Sequence, residues 1–450
     1  MQDRAALILA AGQGTRMKSE LPKVLHKVGG RAMLDWSIDL AKRAGCSRII
    51  VVVSAGSQQL QQHVTNVLGE DAFVIQDPPL GTGHAVRAAE DALKDFAGDL
   101  IILYGDCPLI PETAVSALFD ELSGKADLGV LGFEAEEPGA YGRLIKNANG
   151  NLEGIVEAKE ASPEQLAINL CNSGVMAGAC DLVFDLLSKV TNDNAKGEYY
   201  LTDIVGLAHA AGSLCRAVTC DEDDVLGVNS RVELAAAEAI FQAKTRNAFM
   251  KAGVTLTAPE TVFFSYDTEI GADVTVEPNV VFATGVQVQS KARIRAFSHL
   301  EGAQVRSGAE IGPYARLRPG ADIGENARIG NFVEVKNTAV GEGAKANHLA
   351  YLGDGAIGPG ANIGAGTIFC NYDGFLKYRT SIGAGAFIGS NSALVAPVSI
   401  GQGAIIGSGS VITNDVSPDA LALGRGQQVE KPGWAKSFRE KKKREKSSKR

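Results

Sequence analysis

Over the first half of the chain, short apolar runs alternate with segments of helical spacing. Residues 5–11, "RIIVVVSAG" (48–56) and "DLIILYGD" (99–106) are continuous apolar stretches closed by Gly, Ala or Asp, the pattern of strands buried on both faces. "AMLDWSIDLAKRAG" and "GHAVRAAEDALKDF" instead repeat their apolar positions at helical intervals. Strands and helices alternating in this way predict a mostly parallel sheet covered by helices, a doubly wound α/β domain. Residues 230–251 are rich in helix formers and free of Gly until Gly253, which predicts one connecting helix.

Beyond Gly253 the period becomes six. Aliphatic or aromatic residues fall at Ile270, Val276, Phe282, Val288, Ile294 and Leu300 and, after a five-residue step, at Val305, Ile311, Leu317, Ile323, Ile329 and Val335. The repeat continues through Ile357 and Ile363 and resumes at Ile382, Ile388, Leu394, Ile400, Ile406 and Ile412. Such hexads predict a parallel β-helix whose aliphatic positions fill the inside of the coil. The interruption "CNYDGFLKYRTS" (370–381) leaves the solenoid without ending it, which makes it a candidate functional loop. The expected organisation is an α/β domain over 1–228, a linker helix over 229–251, a β-helix over 252–424, and a segment 425–450 ending in a disordered basic tail.

Composition changes this picture in few places. The net charge is −8, but residues 436–450 carry nine Lys/Arg against two Glu, so the rest of the chain sits near −15 and no nucleic-acid partner is expected. No charge-free apolar stretch approaches the roughly 20 residues needed to span a bilayer. Asp3 and Arg4 precede an apolar run too short for a signal peptide. A cytoplasmic location without stable membrane association is therefore expected. The seven cysteines are odd in number and lack C-x-x-C spacing, which fits reduced thiols better than disulfides or metal ligands.

The candidate chemistry begins at "LILAAGQGTRMKSELPKVL" (7–25). Both the Walker A loop and the G-x-G-x-x-G fingerprint fail at Met17, where each requires glycine. What remains is a strand feeding a glycine turn, with Arg16 just beyond it and Pro22-Lys23 a turn later. Exposed backbone N–H groups and two cations suit a triphosphate. The same glycines also fit an ordinary strand-to-helix connection, and the Arg16 and Lys23 spacing favours the phosphate. Asp106 ends a strand, where a carboxylate caps a turn or offers a metal-bridged phosphate a hard oxygen ligand. In the hexads, His348 stands in a polar cluster, "KANHLAYLGD". A lone histidine is more often structural or simply exposed, yet imidazole is also the side chain best suited to take a proton from an amine near neutral pH.

Together, "LAAGQGTRM" with its following "PK", "YGDCPL", "GVNSR", "KANHLAYLGD", "GTIFCNYDG" and the hexads make the chain resemble the bifunctional N-acetylglucosamine-1-phosphate uridylyltransferase/glucosamine-1-phosphate N-acetyltransferase family, over all but the basic tail. The resemblance implies a Rossmann-like nucleotidyltransferase domain followed by a left-handed β-helix acetyltransferase domain. The substrates it implies are UTP, acetyl-CoA, glucosamine 1-phosphate and N-acetylglucosamine 1-phosphate, with Mg²⁺ as cofactor and a role in peptidoglycan and lipopolysaccharide precursor synthesis. At the first site it implies nucleotide contacts from Leu9, Ala10, Ala11, Gly12, Tyr104 and Gly105, and phosphate neutralisation by Arg16 and Lys23. Uracil would be selected by Gln76, Gly81 and Thr82, Mg²⁺ held by Asp106 and Asn229, and the sugar contacted by Gly142, Glu157 and Asn172.

At the second site the resemblance implies His348 as catalytic base, with Glu334 expected to orient it. Arg318 and Lys336 would hold the sugar phosphate, while Tyr351, Asn362 and the Asn371-Tyr372 pair frame the sugar. Acetyl-CoA would be met by Ala365, Asn371, Tyr372, Ser390, Ser408 and Arg425. Family members are homotrimers with acetyltransferase sites between adjacent β-helices. A single-function nucleotidyltransferase whose β-helix only assembles or regulates is the alternative, and it predicts no base in the solenoid.

Overall fold

A computed structural model describes residues 3–194 and 196–448. The chain forms two compact units that divide at Asn247/Ala248. In the first, seven strands make the main sheet: β1 (Arg4–Leu9), β2 (Arg48–Ser54), β3 (Phe73–Gln76), β4 (Asp99–Tyr104), β5 (Leu128–Glu134), β6 (Leu170–Ala179) and β7 (Cys215–Cys220). Their order across the sheet is β7-β5-β6-β4-β1-β2-β3. The central strand β1 runs parallel to both neighbours, with Leu7 opposite Ile50 on one side and Ile102 on the other. Its apolar run alternates between faces as a strand must: Ala6 and Ile8 join one buried cluster, Ala5 and Leu7 the opposite one. Only β6 breaks the parallel set, running antiparallel to β4 and β5. It follows the hairpin Arg143–Lys146/Leu152–Val156 and the single helical turn Pro163–Leu166 instead of a long crossover helix.

Two helical expectations are modified. The run 83–96 forms Thr82–Arg87 and Glu90–Leu93 instead of one helix, because Ala89 leaves helical geometry and Val86, Ala89 and Leu93 all reach the same core. The expected linker helix, Arg231–Lys251, belongs to the first unit as far as Asn247. Its Ala237 and Phe241 are buried with Val28 and Met33, and the Phe241 ring meets Trp36 edge-on at 5.6 Å. A side chain at Gly29 would strike the Phe241 ring at 2.4 Å, so this packing requires glycine there.

The second unit is a parallel β-helix with three faces of stacked two- to seven-residue strands. The parallel strands and six-residue repeat are those of a left-handed β-helix. Equivalent positions recur one coil apart, as in the ladder Ile294, Ile311, Ile329. The hexad positions read from the sequence are buried from Val276 to Ile412, and Ile270 is partly buried. Left-handed corners fall at residues such as Asn326, Asn337, Asp354 and Asn391, where Asn and Asp are better tolerated than other side chains. The insertion leaves the coil after Cys370 and returns in register, with Gly355 opposite Thr380 and Ile357 opposite Ile382.

The expected disordered tail is corrected over Trp434–Ser447, which forms a helix with every residue but Glu445 exposed. Lys, Arg, Glu and Ala are good helix formers, and Lys442 and Glu445 pair one turn apart at 2.7 Å. Residues 449–450 of that tail lie outside the described residues.

Ile329 points into the solenoid and its neighbour Arg328 points out. Ile329→Ala should destabilise the second unit by about 2–5 kcal/mol, whereas Arg328→Ala should change it by less than about 0.5 kcal/mol. Denaturant unfolding of both full-length variants checks this; equal effects would contradict the inside–outside assignment.

Candidate active sites

In the first unit the carboxyl ends of β1, β3 and β4 open into a cavity of about 340 Å³, where ligands bind in doubly wound sheets. Ten expected nucleotide residues line it: Leu9, Ala10, Ala11, Gly12, Lys23, Gln76, Gly81, Thr82, Tyr104 and Asp106. Gln13 and Val24, within the glycine-turn stretch, and Pro79, Ala85 and Glu198 outside it also line the cavity. Gly105 is tied to β1 by its N–H, which donates to the Leu9 carbonyl at 3.0 Å. The glycine turn works through close packing as well as exposed N–H groups. Gly14 is left-handed, and a Cβ there would lie 2.7 Å from that of Lys23, so glycine leaves room for the lysine.

Lys23 is the hub of this site. Its ammonium, on a side chain only 10% exposed, is ion-paired to the Asp106 carboxylate and donates to Asn229 Oδ1 at 2.9 Å. Two hard oxygen donors from chain positions more than a hundred residues apart thus converge on one point. Asn229 is fixed in turn, its N–H donating to Glu233 Oε2 at 2.7 Å. Glu233 was missed in the sequence, although Ser230-x-x-Glu233 has capping-box spacing. Burial, then the adjacent Asp106 charge, pushes the Cys107 thiol well up, so it is no nucleophile here. Gln76 donates its amide to the Gly81 carbonyl at 3.0 Å. Just outside the hairpin strands, Gly142 accepts from the Asn172 N–H at 2.8 Å and Glu157 from the Thr202 hydroxyl at 3.3 Å. Arg16, on the 3₁₀ turn Thr15–Met17, is exposed and does not line the cavity.

In the β-helix the expected residues fall into two sets on either side of the corner at Phe332 and Leu349. On one side, strand pairing puts Asn331 directly below His348. The His348 Nδ1–Asn331 Oδ1 distance is 2.7 Å. With the amide oxygen as acceptor, Nδ1 is the donor, which leaves Nε2 outside this contact. Above His348, Asn391 N–H bonds the Ala365 carbonyl, Gly409 N–H the Ser390 carbonyl and Arg425 Nη1 the Ser408 carbonyl, at 2.7, 2.8 and 2.7 Å. Ala365, Ser390, Ser408 and Arg425 therefore climb one edge of the solenoid on successive coils. Asn362 lies on the same face, opposite Lys345.

On the other side are Arg318, Glu334, Lys336, Tyr351 and Asn371. Register pairs Arg316 with Glu334 and Leu317 with Val335, which stacks Arg318 under Lys336. Here one expectation is not met within the chain: Glu334 does not contact His348. It lies around the corner and accepts from Arg318 Nη1 at 2.8 Å, with Arg316 at 3.6 Å. Asn331 takes the orienting place, one 17-residue coil below the imidazole. The insertion contributes a residue that the sequence did not single out. Lys377 lies beside Lys336, and the neighbouring ammonium lowers Lys377 from its ordinary lysine value. Asn371 is buried, whereas Tyr372 is exposed and donates its hydroxyl to the Gly374 carbonyl.

Known proteins match both units. The family described as MobA-like NTP transferase domain matches residues 6–190, and that described as bacterial transferase hexapeptide (six repeats) matches 302–337 and 379–414. A protein of Hyphomonas neptunium named "Bifunctional protein GlmU" is 64% identical over 99% of this chain and 97% of its own length. Proteins of the same name from Caulobacter vibrioides and Sphingopyxis alaskensis are 59% and 52% identical, over 98% and 96% of this chain and 95% and 96% of their own lengths. With a nucleotide-type crevice in one unit and a hexapeptide solenoid in the other, the chain belongs to the family of bifunctional GlmU proteins, which join a nucleotidyltransferase to an acetyltransferase.

Proposed function

We propose that this chain makes UDP-N-acetylglucosamine in two steps, acetylating glucosamine 1-phosphate in the β-helix and then transferring uridylyl from UTP in the α/β unit. One observation carries the reading: the chemistry-bearing side chains fall in separate units, Lys23–Asp106–Asn229 in one, and in the other His348 with Asn331 and, around a corner, Arg318 and Lys336.

In uridylyl transfer, a phosphate oxygen of N-acetylglucosamine 1-phosphate attacks the α-phosphorus of UTP while the bond to the β-phosphate breaks and pyrophosphate leaves. The nucleophile is already anionic, so alignment and charge neutralisation supply most of the catalysis. Lys23 moves from its carboxylate pair toward the phosphates, and the backbone of residues 9–12 cradles them. Asp106 and Asn229 fit Mg²⁺, since a hard cation that keeps waters and phosphate oxygens needs only one or two protein ligands. When bound there, Mg²⁺ supplies further neutralisation of phosphate charge. Gln76, Gly81 and Thr82 face the base, Gly142, Glu157 and Asn172 the sugar, and Arg16 reaches the departing pyrophosphate from its exposed turn.

In acetyl transfer, His348 Nε2 takes a proton from the glucosamine amine as nitrogen attacks the thioester carbonyl, and the C–S bond breaks to release the coenzyme thiolate. The edge from Ala365 to Arg425 rises about 4.8 Å per coil, a track suited to the extended coenzyme. Arg318 and Lys336 hold the sugar phosphate, helped by Lys377, with Glu334 bracing Arg318. The Phe332–Leu349 corner separates these cations from His348 within one chain. A homotrimer with neighbouring solenoids packed side by side completes the site, and its closed cyclic symmetry suits a long exposed flank. Relatives being bifunctional, the reading of the β-helix as a mere assembly device is not retained. We place the enzyme in the cytoplasm, acting on small molecules with no nucleic-acid partner or stable membrane association; among the described residues no helix is long and apolar enough to cross a membrane.

Assays of both half-reactions on full-length variants test the separation. His348→Ala should lower acetyl transfer by about 10²–10⁴-fold and leave uridylyl transfer within about twofold, and Asp106→Ala should reverse the pattern. Loss of both activities from either change in a folded protein contradicts independent sites. Chelation of divalent cations should stop uridylyl transfer and spare acetyl transfer; equal inhibition would overturn the assignment of Mg²⁺ to the Asp106–Asn229 pair.

A further inference from the structure

Three corner residues one coil apart, Asn337, Asp354 and Asn371, form a polar ladder beside the cationic set. Asp354 accepts from Asn337 Nδ2 at 2.7 Å and from Asn371 Nδ2 at 2.5 Å. Its side chain is 8% exposed, with Oδ2 3.5 Å from Lys336 Nζ. Asn371 Nδ2 also reaches the Tyr351 hydroxyl at 3.5 Å. The packing is tight: a Cβ at the intervening Gly353 would lie 2.4 Å from the Tyr351 hydroxyl and 2.9 Å from Asn371 Nδ2.

The turn itself does not demand a carboxylate. The same corner is Gly320 one coil before Asn337, and left-handed backbone is served elsewhere by neutral Asn326 and Asn391. A buried charge is costly unless paired and hydrogen-bonded, so its presence here calls for a reason other than folding. Burial pushes Asp354 up, but donors from Asn337 and Asn371 and the Lys336 charge outweigh it and hold the carboxyl below its ordinary range. The ladder thus keeps a fixed negative charge behind Lys336.

We propose that Asp354 is a positioning residue for acetyl transfer: from inside the corner it sets the Lys336 ammonium and the Asn371 amide, and through Asn371 the Tyr351 hydroxyl, in the geometry that receives the sugar phosphate. The proposal rests on the reading of Arg318 and Lys336 as phosphate ligands. Asp354 touches no reacting atom; its effect passes through Lys336 and Asn371.

Asp354→Asn keeps the shape and the tolerance for left-handed backbone while removing the charge and facing one amide donor with another. In full-length enzyme it should raise KM for glucosamine 1-phosphate about tenfold or more. The kcat should change little, and KM for acetyl-CoA and uridylyl transfer should stay at wild-type values, while the lost buried charge lowers the thermal midpoint. Combined with Lys336→Met, which alone should raise the same KM, the two effects should be less than additive. A raised KM in Lys336→Met with an unaltered one in Asp354→Asn overturns this proposal alone, whereas unaltered values in both overturn the phosphate site as read. A fall in kcat and thermal midpoint together, with both KM values moved, means a merely structural corner and also overturns it. Should Asp354→Asn fail to fold, Asn337→Ser removes a single donor from the same carboxylate; a severalfold rise in sugar-phosphate KM at constant kcat supports the proposal and an unaltered KM refutes it.

Discussion

Both sites depend on parallel, in-register hydrogen bonding between segments distant in sequence. In the α/β unit that pairing brings the ends of β1, β3 and β4 to one edge, which is how Leu9, Gln76 and Tyr104 come to line a single cavity. In the solenoid the same pairing repeats every coil, so a residue's neighbour in space is the one a full turn away. A one-residue slip would turn each inward aliphatic side chain outward and carry His348 off Asn331. The apolar stacks Ile294–Ile311–Ile329 and Val276–Ile294 fix the register, and the polar chemistry depends on it.

Within that frame the two sites use charge differently. Lys23 lies against a carboxylate and an amide at the mouth of a crevice, a compact arrangement that an incoming polyanion rearranges. The solenoid cations are held from behind, Arg318 by Glu334 and Lys336 by Asp354, so that their outer faces stay open. Holding a cation with a partly or wholly covered carboxylate limits its side-chain freedom before any anion arrives, which lowers the entropy cost of binding.

How much of this was legible follows from which forces leave a local trace. The hexads were readable because inward positions admit little besides aliphatic side chains, and the insertion was readable because it broke them. The nucleotide cavity was legible for the same reason, since Gly12, Gly14 and the end of "LIILYGD" mark where strands stop. Partners across coils were not. Glu334 is 14 residues from His348 and Asn331 is 17, and only the second spacing is one coil here. Counting back a coil, including the five-residue step from Val335 to Val340, would have found Asn331. For Lys377 only the insertion as a whole leaves a trace, and Glu198 leaves none, because each lies on irregular backbone that no period describes. The tail helix does leave a trace, in the Lys, Arg, Glu and Ala that favour helix, and its charge alone points the other way.

The central claim is that one polypeptide performs both transfers, and the most direct measurement of it is product identification. Purified full-length protein would receive glucosamine 1-phosphate, acetyl-CoA, UTP and Mg²⁺, and the products would be resolved by mass. The account predicts UDP-N-acetylglucosamine together with free coenzyme A and pyrophosphate. Uridylylation only when N-acetylglucosamine 1-phosphate is supplied ready-made, with no coenzyme A released from the amino sugar, would contradict it.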